Sequence, residues 1–445
     1  MNKNKDYLIT EKPSRALFAF ALPMIIGNLF QQAYTIVDSA IVGHYVGETA
    51  LAAVGASYAL TSIFICVAIG GGIGASVIIS QHFGGHAYSR MKTSIRTAML
   101  SFLLISLMLG GIGLCFSRQI MEALNTPADA MDIAVIYLNI YFYGLPFLFM
   151  YNILSSMFNA LGESRIPLYL LIFSSVLNIF LDLYMVATLH LGVAGAAYAT
   201  FIAQGISAVC SFLIFLHTLR RLDGKAETWF SKAEFSSMSR IALPSILQQS
   251  TVSIGMMLVQ SVVNGFGTQI LAGFSAGMRI ESLCVVPMAA IGNALSSYTA
   301  QNIGAEKHER ISLGYRTANI MVAITAVILC LFLELLHRPL IALFLDGAPS
   351  AQTVATGEGY LRFIGFFFCM IGFKMAVDGI LRGAGAVKVF TIANLVNLGL
   401  RVLIAKLGAP VYGIAMIWYA VPLGWLANFL ISYGYYRTGK WKQIL

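Results

Sequence analysis

Long apolar runs follow one another along almost the whole chain, and they limit its fold more than any other feature does. About twelve of them are long enough to cross a bilayer, which takes roughly 20 apolar residues in a helix. They cover residues 16–43, 50–80, 95–116, 133–160, 166–189, 192–217, 239–265, 270–300, 315–336, 356–381, 389–408 and 411–435. Only helices and closed barrels satisfy their backbone hydrogen bonds within lipid, and continuous runs exclude a barrel. The sequence therefore predicts an all-α polytopic membrane protein with twelve transmembrane helices.

Lysine and arginine are distributed unevenly between the loops on the two sides of the predicted membrane. Charged residues make up only 11% of the chain, yet the formal net charge is +9. An even number of spans puts both chain ends on one side, and that side carries 21 lysines and arginines against three on the other. Because cytoplasmic loops are enriched in these residues, we expect both termini in the cytoplasm and a location in the plasma (inner) membrane. The partner implied by this charge is the lipid bilayer, not nucleic acid, and we expect a monomer.

The two halves of the chain resemble each other. Ala21–Pro23 is repeated as Ala242–Pro244, and a pair of glutamines follows each within ten residues. The most charged connection of the chain separates the halves. We therefore predict two pseudo-symmetric six-helix bundles, over residues 1–218 and 241–445, joined by a cytoplasmic linker over 219–240. Six spans per half give both bundles the same orientation, as in transporters built from parallel repeats.

The opening span carries an ionisable group. Within Ala21–Gly43, the side chains of Gln31, Tyr34, Thr35 and Asp38 recur at helical spacing and share one face. A carboxylate at mid-membrane depth costs several kcal/mol unless it finds water, a partner or a proton. This span therefore lines a cavity with that face, or else Asp38 is a structural acid tied to a neighbouring helix.

Pro23 lies near the start of the same span. Proline removes one backbone hydrogen bond and kinks a helix, so we predict a bend here that serves as a hinge. Prolines are also ordinary in membrane helices, and a purely structural proline is the alternative.

Four oxygen-bearing side chains on three spans form the predicted ion site. Asn178 and Asp182 lie at i and i+4 on the fifth run, and Thr200 lies on the small-residue sixth run. Together with Asp38 they offer two carboxylates, an amide oxygen and a hydroxyl, which suit a small hard cation such as Na⁺. The same carboxylates suit a proton equally well. A hydrogen-bond network that holds three helices together is the alternative.

Polar and aromatic side chains also mark a candidate substrate cavity. Tyr137, Tyr143 and Asn152 lie on the fourth run, which is unusually polar for a membrane span. Tyrosine rings suit aromatic or cationic molecules, whereas ordinary interhelical hydrogen bonds are the alternative use of these groups. The full predicted set of cavity residues is Gln31, Tyr34, Tyr137, Tyr143, Asn152 and Gln260.

The second half lacks the acid of the opening span. No charged residue lies between Ile241 and Met278. At a shift of 219 positions, Asn178 and Asp182 correspond to Asn397 and Arg401, so a base stands where the first half has an acid. Five further charges lie inside or next to the apolar runs of this half. Lys374 and Asp378 at i and i+4, Arg382, and Glu281 with Arg279 are predicted to form structural salt bridges, with a coupling or gating role as the alternative.

Sequence signals of an enzyme are missing. The chain has no nucleotide-binding loop, zinc signature or serine-type elbow. Its six cysteines lie in or at the ends of apolar runs without a CxxC pair, as small core residues do. We expect neither catalysis nor a cofactor other than the coupling ion, and no cleaved signal peptide.

Several segments, taken in order, resemble the multidrug and toxic compound extrusion (MATE) family. They are ALPMIIGNLFQQAYTIVDSAIVGHYVGETALAAVG, QHFGG, FNALGESRIP, NIFLD, GVAGAA and LRGAG. The resemblance extends over essentially the whole chain, including the duplication, and is strongest to the DinF-like branch. In that branch an Asp, Asn, Asp and Thr of the N-terminal lobe bind a proton or sodium, and Asp38, Asn178, Asp182 and Thr200 match them.

The resemblance also implies a mechanism. It implies two bundles around a central cleft, alternating access, and antiport of cationic or amphipathic drugs against H⁺ or Na⁺. The chain departs from the NorM-like branch, which uses an acid on the seventh helix, so no cation site in the C-terminal lobe is implied. The wider superfamily also contains lipid-linked oligosaccharide flippases, which are the alternative function.

Overall fold

The computed structural model describes residues 6–46, 48–124, 126–345 and 349–443, and these residues contain helices and no strand. Within these ranges, eleven helices are long and apolar enough to cross a membrane, and there are twelve spans if a bent pair of shorter helices is counted as one. The predicted all-α membrane fold with about twelve spans is therefore confirmed. One predicted run differs, because residues 356–381 are not one straight helix: the pair Ala351–Gly365 and Phe368–Gly383 is bent by 52°.

The helices are numbered here in chain order. The first half contains α1 (Tyr7–Thr10), α2 (Pro13–Val46), α3 (Glu48–Gly84), α4 (Tyr88–Ala123), α5 (Ala128–Ala160), α6 (Arg165–Asp182) and α7 (Gly192–Arg220). The second half contains α8 (Lys232–Asn264), α9 (Thr268–Gly304), α10 (His308–Ala342), α11 (Ala351–Gly365), α12 (Phe368–Gly383), α13 (Val387–Tyr412) and α14 (Ala415–Arg437).

The chain folds into two compact units. The first unit is Ile26–Ile246, and the second unit combines Met1–Ile25 with Leu247–Leu445. The units share most of their residues with the two predicted bundles but divide at different places, inside α2 and inside α8 and not at the linker. Hydrogen bonds to the segments that precede these two helices explain the difference.

In the second unit, basic and amide side chains hold the N-terminal segment. A short helix leaves its last carbonyl groups without backbone partners, and cations are favourable at that end. Asn302 Nδ2 donates to the Leu8 carbonyl at 3.1 Å, and Lys307 Nζ donates to the Ile9 carbonyl at 3.0 Å. Arg310 also donates to the Leu8 carbonyl, at 3.3 Å. The start of the chain thus belongs to the same unit as α9 and α10.

In the first unit, the beginning of α4 holds the linker in the same way. The contacts run from Lys92 Nζ to the Leu222 and Gly224 carbonyls (2.6 and 2.8 Å), from the Glu227 amide to Thr93 Oγ1 (3.0 Å) and from the Ser231 amide to Thr97 Oγ1 (3.0 Å). Glu234, in the first turn of α8, accepts from Ser94 Oγ at 2.7 Å and lies 3.1 Å from His82 Nε2. The linker and the first turns of α8 therefore pack with the first unit.

Glycines allow the closest helix contacts. A Cβ atom added at Gly379 of α12 would overlap the Gly292 carbonyl oxygen of α9, and one at Gly383 would overlap the Ser296 carbonyl oxygen. Small residues let backbones approach in membrane proteins, where packing takes the place of the hydrophobic effect between helices. The contact between α9 and α12 therefore requires glycine at these positions.

We expect Gly379→Ala to destabilise the protein although alanine is the better helix former. Overpacking costs about 1–3 kcal/mol, which exceeds the gain of up to about 1 kcal/mol in helix propensity. The melting temperature of the purified protein in detergent measures the effect. Gly399→Ala in α13 is the matched control, because no atom lies within 4 Å of its added Cβ. Equal melting temperatures for the two variants would contradict the packing argument.

Candidate functional site

The structure brings together the four side chains of the predicted ion site, within the first unit. Asn178 is their centre. In the amide orientation that satisfies every neighbour, its Nδ2 donates to Tyr34 Oη at 2.7 Å and to Asp182 Oδ2 at 2.9 Å. Its Oδ1 accepts from the Thr200 amide at 3.0 Å and from Thr200 Oγ1 at 3.3 Å. Helices α2, α6 and α7 are thus joined by one polar cluster.

The two carboxyl groups of this cluster face each other. The side chains of Asp38 and Asp182 lie close enough for their charges to interact, and the Oδ1 atom of each is buried without a hydrogen-bond donor. Among the described residues, no lysine or arginine forms an ion pair with either acid. Two facing acceptors in a low-dielectric interior repel unless a proton or a cation lies between them.

Local backbone geometry positions Asp182. It is the last residue of α6, and a π-helical turn, Leu183–Thr188, follows it directly. Such turns interrupt the regular hydrogen-bond ladder and are frequent at functional sites. Gly195 of α7 lies against this turn, and an added Cβ would come within 3.2 Å of the Met185 backbone. The small-residue start of α7 thus lets Thr200 reach the cluster.

A small, partly open pocket lies beside the polar cluster, between α5 and α7. It is lined by Tyr137, Ile140, Tyr141, Gly144, Leu148, Ala197, Thr200, Phe201 and Gln204. Thr200 belongs to both the pocket and the polar cluster, and Tyr137 lies close enough to Asp38 and Asp182 to interact with their charges. A molecule in this pocket would therefore contact Thr200, which hydrogen-bonds to Asn178 of the polar cluster.

Only part of the predicted substrate set lines this pocket. Tyr137 does, and Tyr34 belongs to the polar cluster. Tyr143 is 62% exposed on another face of α5, and Asn152 Nδ2 donates to the carbonyl of Leu148 in its own helix at 2.8 Å. These two remain predictions as substrate contacts.

The remaining members of the predicted set lie apart from the pocket. Gln31 is exposed on α2. Gln260 is in the second unit, where its Nε2 lies 3.5 Å from Ser275 Oγ. Their contact with substrate also remains a prediction.

Sequence reasoning missed Tyr141 and Gln204 as pocket residues. Helical spacing could have found them, because Tyr141 follows Tyr137 by four positions and Gln204 follows Thr200 by four. The apolar neighbours on the same helices conceal this pattern, so spacing alone does not separate the pocket face from the core face.

Comparison with models of protein families identifies the family of this chain. The MatE model matches residues 23–184 and again residues 244–407, once in each half. The chain belongs to the MatE family. Its members are transporters and not enzymes, and this MatE protein is a multi-pass membrane protein. The two matches also agree with the internal repeat.

Curated relatives and a solved structure resemble this MatE protein over almost its full length. It is 31% identical to the probable multidrug resistance protein YpnP of Bacillus subtilis, covering 97% of this chain and 96% of that one. It is 26% identical to the probable multidrug resistance protein YoeA of the same organism, over 100% and 99% of the chains. An outward-facing multidrug resistance MATE family transporter has the same fold, with a TM-score of 0.90, 22% identity and full coverage of both chains.

The second unit of the MatE protein contains the predicted salt bridge of α12. Lys374 Nζ lies 2.8 Å from Asp378 Oδ2 and donates to Asn394 Oδ1 at 3.1 Å. Ser432 Oγ donates to Asp378 Oδ1 at 2.8 Å, and Asn428 Nδ2 donates to Asn394 Oδ1 at 3.2 Å. All five side chains are buried. This network joins α12, α13 and α14.

Arg382 does not form a direct ion pair with Asp378. It donates instead to Asn293 Oδ1 at 2.7 Å and to Ser296 Oγ at 3.3 Å, both on α9. The arginine therefore reinforces the close contact between α9 and α12 that Gly383 permits.

We expect Lys374→Met to destabilise the MatE protein by about 3–5 kcal/mol, because it leaves the buried charge of Asp378 unpaired. Adding Asp378→Asn removes that charge, keeps an acceptor for Ser432 and should restore most of the lost stability. Melting temperatures of the two variants in detergent measure this. If the double variant melts as low as the single one, the salt bridge is not what Lys374 contributes.

Proposed function

We propose that this MatE protein is a secondary active multidrug efflux transporter that exchanges cationic or amphipathic organic compounds for H⁺ or Na⁺ by alternating access. The observation that carries the proposal is the facing pair of carboxyl groups of Asp38 and Asp182. Since no lysine or arginine of the described chain pairs with them, their charge has to be neutralised by an ion from outside the protein. Such an ion can enter and leave with each transport cycle.

The relatives support the substrate class. YpnP and YoeA are both named as probable multidrug resistance proteins. The pocket beside the acids combines the rings of Tyr137, Tyr141 and Phe201 with the amide of Gln204. Aromatic rings attract organic cations and flat apolar groups, as an exporter of amphipathic drugs requires.

Thr200 couples the ion to the substrate. A cation between Asp38 and Asp182 removes the repulsion between them and changes the hydrogen bonds that Asn178 makes with Tyr34 and Asp182. Because Thr200 lies in both the cluster and the pocket, the change reaches the pocket wall through a single side chain. The ion-bound cluster then binds the exported compound less tightly, which is the differential affinity that coupling requires.

The membrane potential contributes to this exchange. Inward movement of one positive charge releases about 2.3 kcal/mol per 100 mV, which corresponds to a concentration ratio of roughly 50-fold for a neutral exported compound. One ion site is therefore enough to drive efflux of a neutral compound, whereas exchange for a monovalent organic cation moves no net charge and is driven by the ion's concentration gradient. In this proposal the protein is a monomer of the plasma membrane with both termini in the cytoplasm.

The hinge belongs to the same proposal. Pro23 is buried inside α2, two residues before α2 passes from the second unit into the first at Ile25 and Ile26. Pro244 has the same position in α8, two residues before the division at Ile246. Prolines at both crossings lower the cost of bending there. Residues Pro23 and Pro244 act as paired hinges during alternating access.

Asp38→Asn and Asp182→Asn should each reduce drug efflux at least about tenfold, because the ion site then lacks one of its two carboxyl groups. Efflux of a fluorescent cationic dye from cells measures this at matched expression. Asp132→Asn is the control: its side chain is 82% exposed, and we expect wild-type efflux. Wild-type efflux by Asp38→Asn excludes this pair as the coupling site. Proteoliposomes under an imposed pH gradient or Na⁺ gradient then identify the ion.

We expect Pro23→Ala to slow efflux several-fold while leaving the melting temperature unchanged or raised, because the restored backbone hydrogen bond favours a straight helix. Pro410→Ala is the matched control, since Pro410 lies exposed inside α13 away from the division between the units. A variant of Pro23 that transports at the wild-type rate contradicts the hinge role.

A further inference from the structure

Three large aromatic side chains are exposed in the first unit, where the linker meets α8. Trp229 is 79% exposed, Phe230 is 44% exposed and Phe235 is 37% exposed. The ring centroids of Phe230 and Phe235 lie 5.9 Å apart, and Trp229 precedes Phe230 directly in the chain. Exposed apolar groups that cluster in this way mark contact with a membrane, a ligand or another protein. The ion site and the pocket beside it make no use of these rings.

Hydrogen bonds between the linker and α4 fix the position of this aromatic patch. The Glu227 amide donates to Thr93 Oγ1 and the Ser231 amide donates to Thr97 Oγ1, both at 3.0 Å. The stretch between these two contacts, which includes Trp229, therefore lies beside the second and third turns of α4. The predicted apolar run of α4 begins within the same turns. Trp229 is thus held at the level where α4 enters the membrane, and tryptophan is enriched at that level in membrane proteins.

A cation lies against the exposed tryptophan. The guanidinium carbon of Arg96, on α4, is 4.7 Å from the centroid of the Trp229 ring. Arg96 is exposed, and it forms no ion pair with an acid of the described chain. An arginine in a cation–π contact still has N–H donors for other partners, and its fork of donors matches the oxygens of a phosphate group. Arg96 and Trp229 therefore combine a phosphate donor with an apolar surface.

The charge around the patch is positive. The linker and residues 88–97 of α4 carry eight lysines and arginines against three acids. One of the three acids, Glu234, already accepts a hydrogen bond from Ser94 Oγ. Basic segments directly beside a membrane attract anionic lipids, so both the charge and the apolar rings favour the same partner. The bases are Arg90, Lys92, Arg96, Arg220, Arg221, Lys225, Lys232 and Arg240.

We propose that Arg96, Trp229, Phe230 and Phe235 form a docking site for an anionic phospholipid of the leaflet on the side of the linker. Arg96 binds the phosphate of the headgroup, and the three rings contact the upper part of the acyl chains. This site is separate from the proposed efflux function and does not depend on which ion drives it. Because the linker continues into α8, a bound lipid holds the start of that helix at the membrane surface.

The internal repeat shows that the site belongs to the first unit alone and supplies a matched control. Arg316 of α10 follows Arg96 by 220 positions and is also exposed. At the same shift Trp229 corresponds to Ile9, which is buried. Within the described ranges, Arg316 has no cation–π contact of the kind that Arg96 makes. The two arginines thus have the same charge at equivalent positions, and the aromatic patch lies beside one of them.

Quenching of tryptophan fluorescence by brominated lipids tests the site in the full chain. The protein is placed in phosphatidylcholine nanodiscs that contain increasing mole fractions of brominated phosphatidylglycerol or brominated phosphatidylcholine. The difference between the wild-type chain and Trp229→Phe gives the emission of Trp229. Half-maximal quenching should need an at least about fivefold lower fraction of the anionic lipid, since one base near the membrane surface attracts it by about that factor. High salt should reduce the difference by screening.

Two variants then separate this site from the general positive charge. Arg96→Gln should remove most of the difference between the two lipids, whereas Arg316→Gln should leave it at the wild-type value. Equal quenching by both lipids in the wild-type chain overturns the proposal, because the patch then lies in lipid without selecting charge. Quenching by neither lipid also overturns it, because the patch then faces water or another protein.

The variants can overturn the docking site as well. A difference that Arg96→Gln leaves unchanged, or that Arg316→Gln removes to the same extent, shows that the overall charge and not this site attracts the lipid. If Arg96→Gln does not fold, the comparison of the two lipids in the wild-type chain and its dependence on salt decide the question.

Discussion

Two carboxyl groups that face each other inside a membrane protein are the constraint on which the first unit depends. Asp38 and Asp182 come from helices far apart in sequence, and each keeps one buried oxygen without a donor. Asn178 donates a hydrogen bond to Asp182 Oδ2 and is itself held by Tyr34 and Thr200, and none of these groups brings a positive charge. A neutral hydrogen bond holds Asp182 in place without neutralising it, and the proposed ion site rests on this lack of a built-in positive charge.

The repeated fold carries different chemistry in its two copies. Equivalent glycines, Gly72 and Gly292, allow close helix contacts in both units: an added Cβ would meet Ser156 Oγ in the first and the Met375 carbonyl in the second. The packing of the repeat is therefore retained, whereas its charged groups differ. Packing involves every residue of a helix face, but a charge can be changed at one position, so a duplicated scaffold can lose ion chemistry in one copy without losing its fold.

Helical periodicity made part of the site predictable. Asn178 and Asp182, like Lys374 and Asp378, share a helix face at i and i+4 whatever the tertiary structure is. The sequence does not predict which helix faces pack together, because membrane helices are apolar on all faces. The sequence therefore identified the acids and the number of spans, but not the pocket beside Thr200.

The sequence also did not predict the contacts between segments that are distant along the chain. The docking of the linker on α4 depends on side-chain hydrogen bonds to backbone groups, which any sequence can offer.

The contacts of the linker and of the N-terminal segment also limit how the two units can move. Because each unit holds the start of a helix whose remainder belongs to the other, α2 and α8 connect the units twice within continuous helices. Any relative motion has to be absorbed by bending inside these two helices, and proline is the residue that makes such bending least costly. If the proposed ion binds at Asp38, it binds to a helix that is itself one of the two connections.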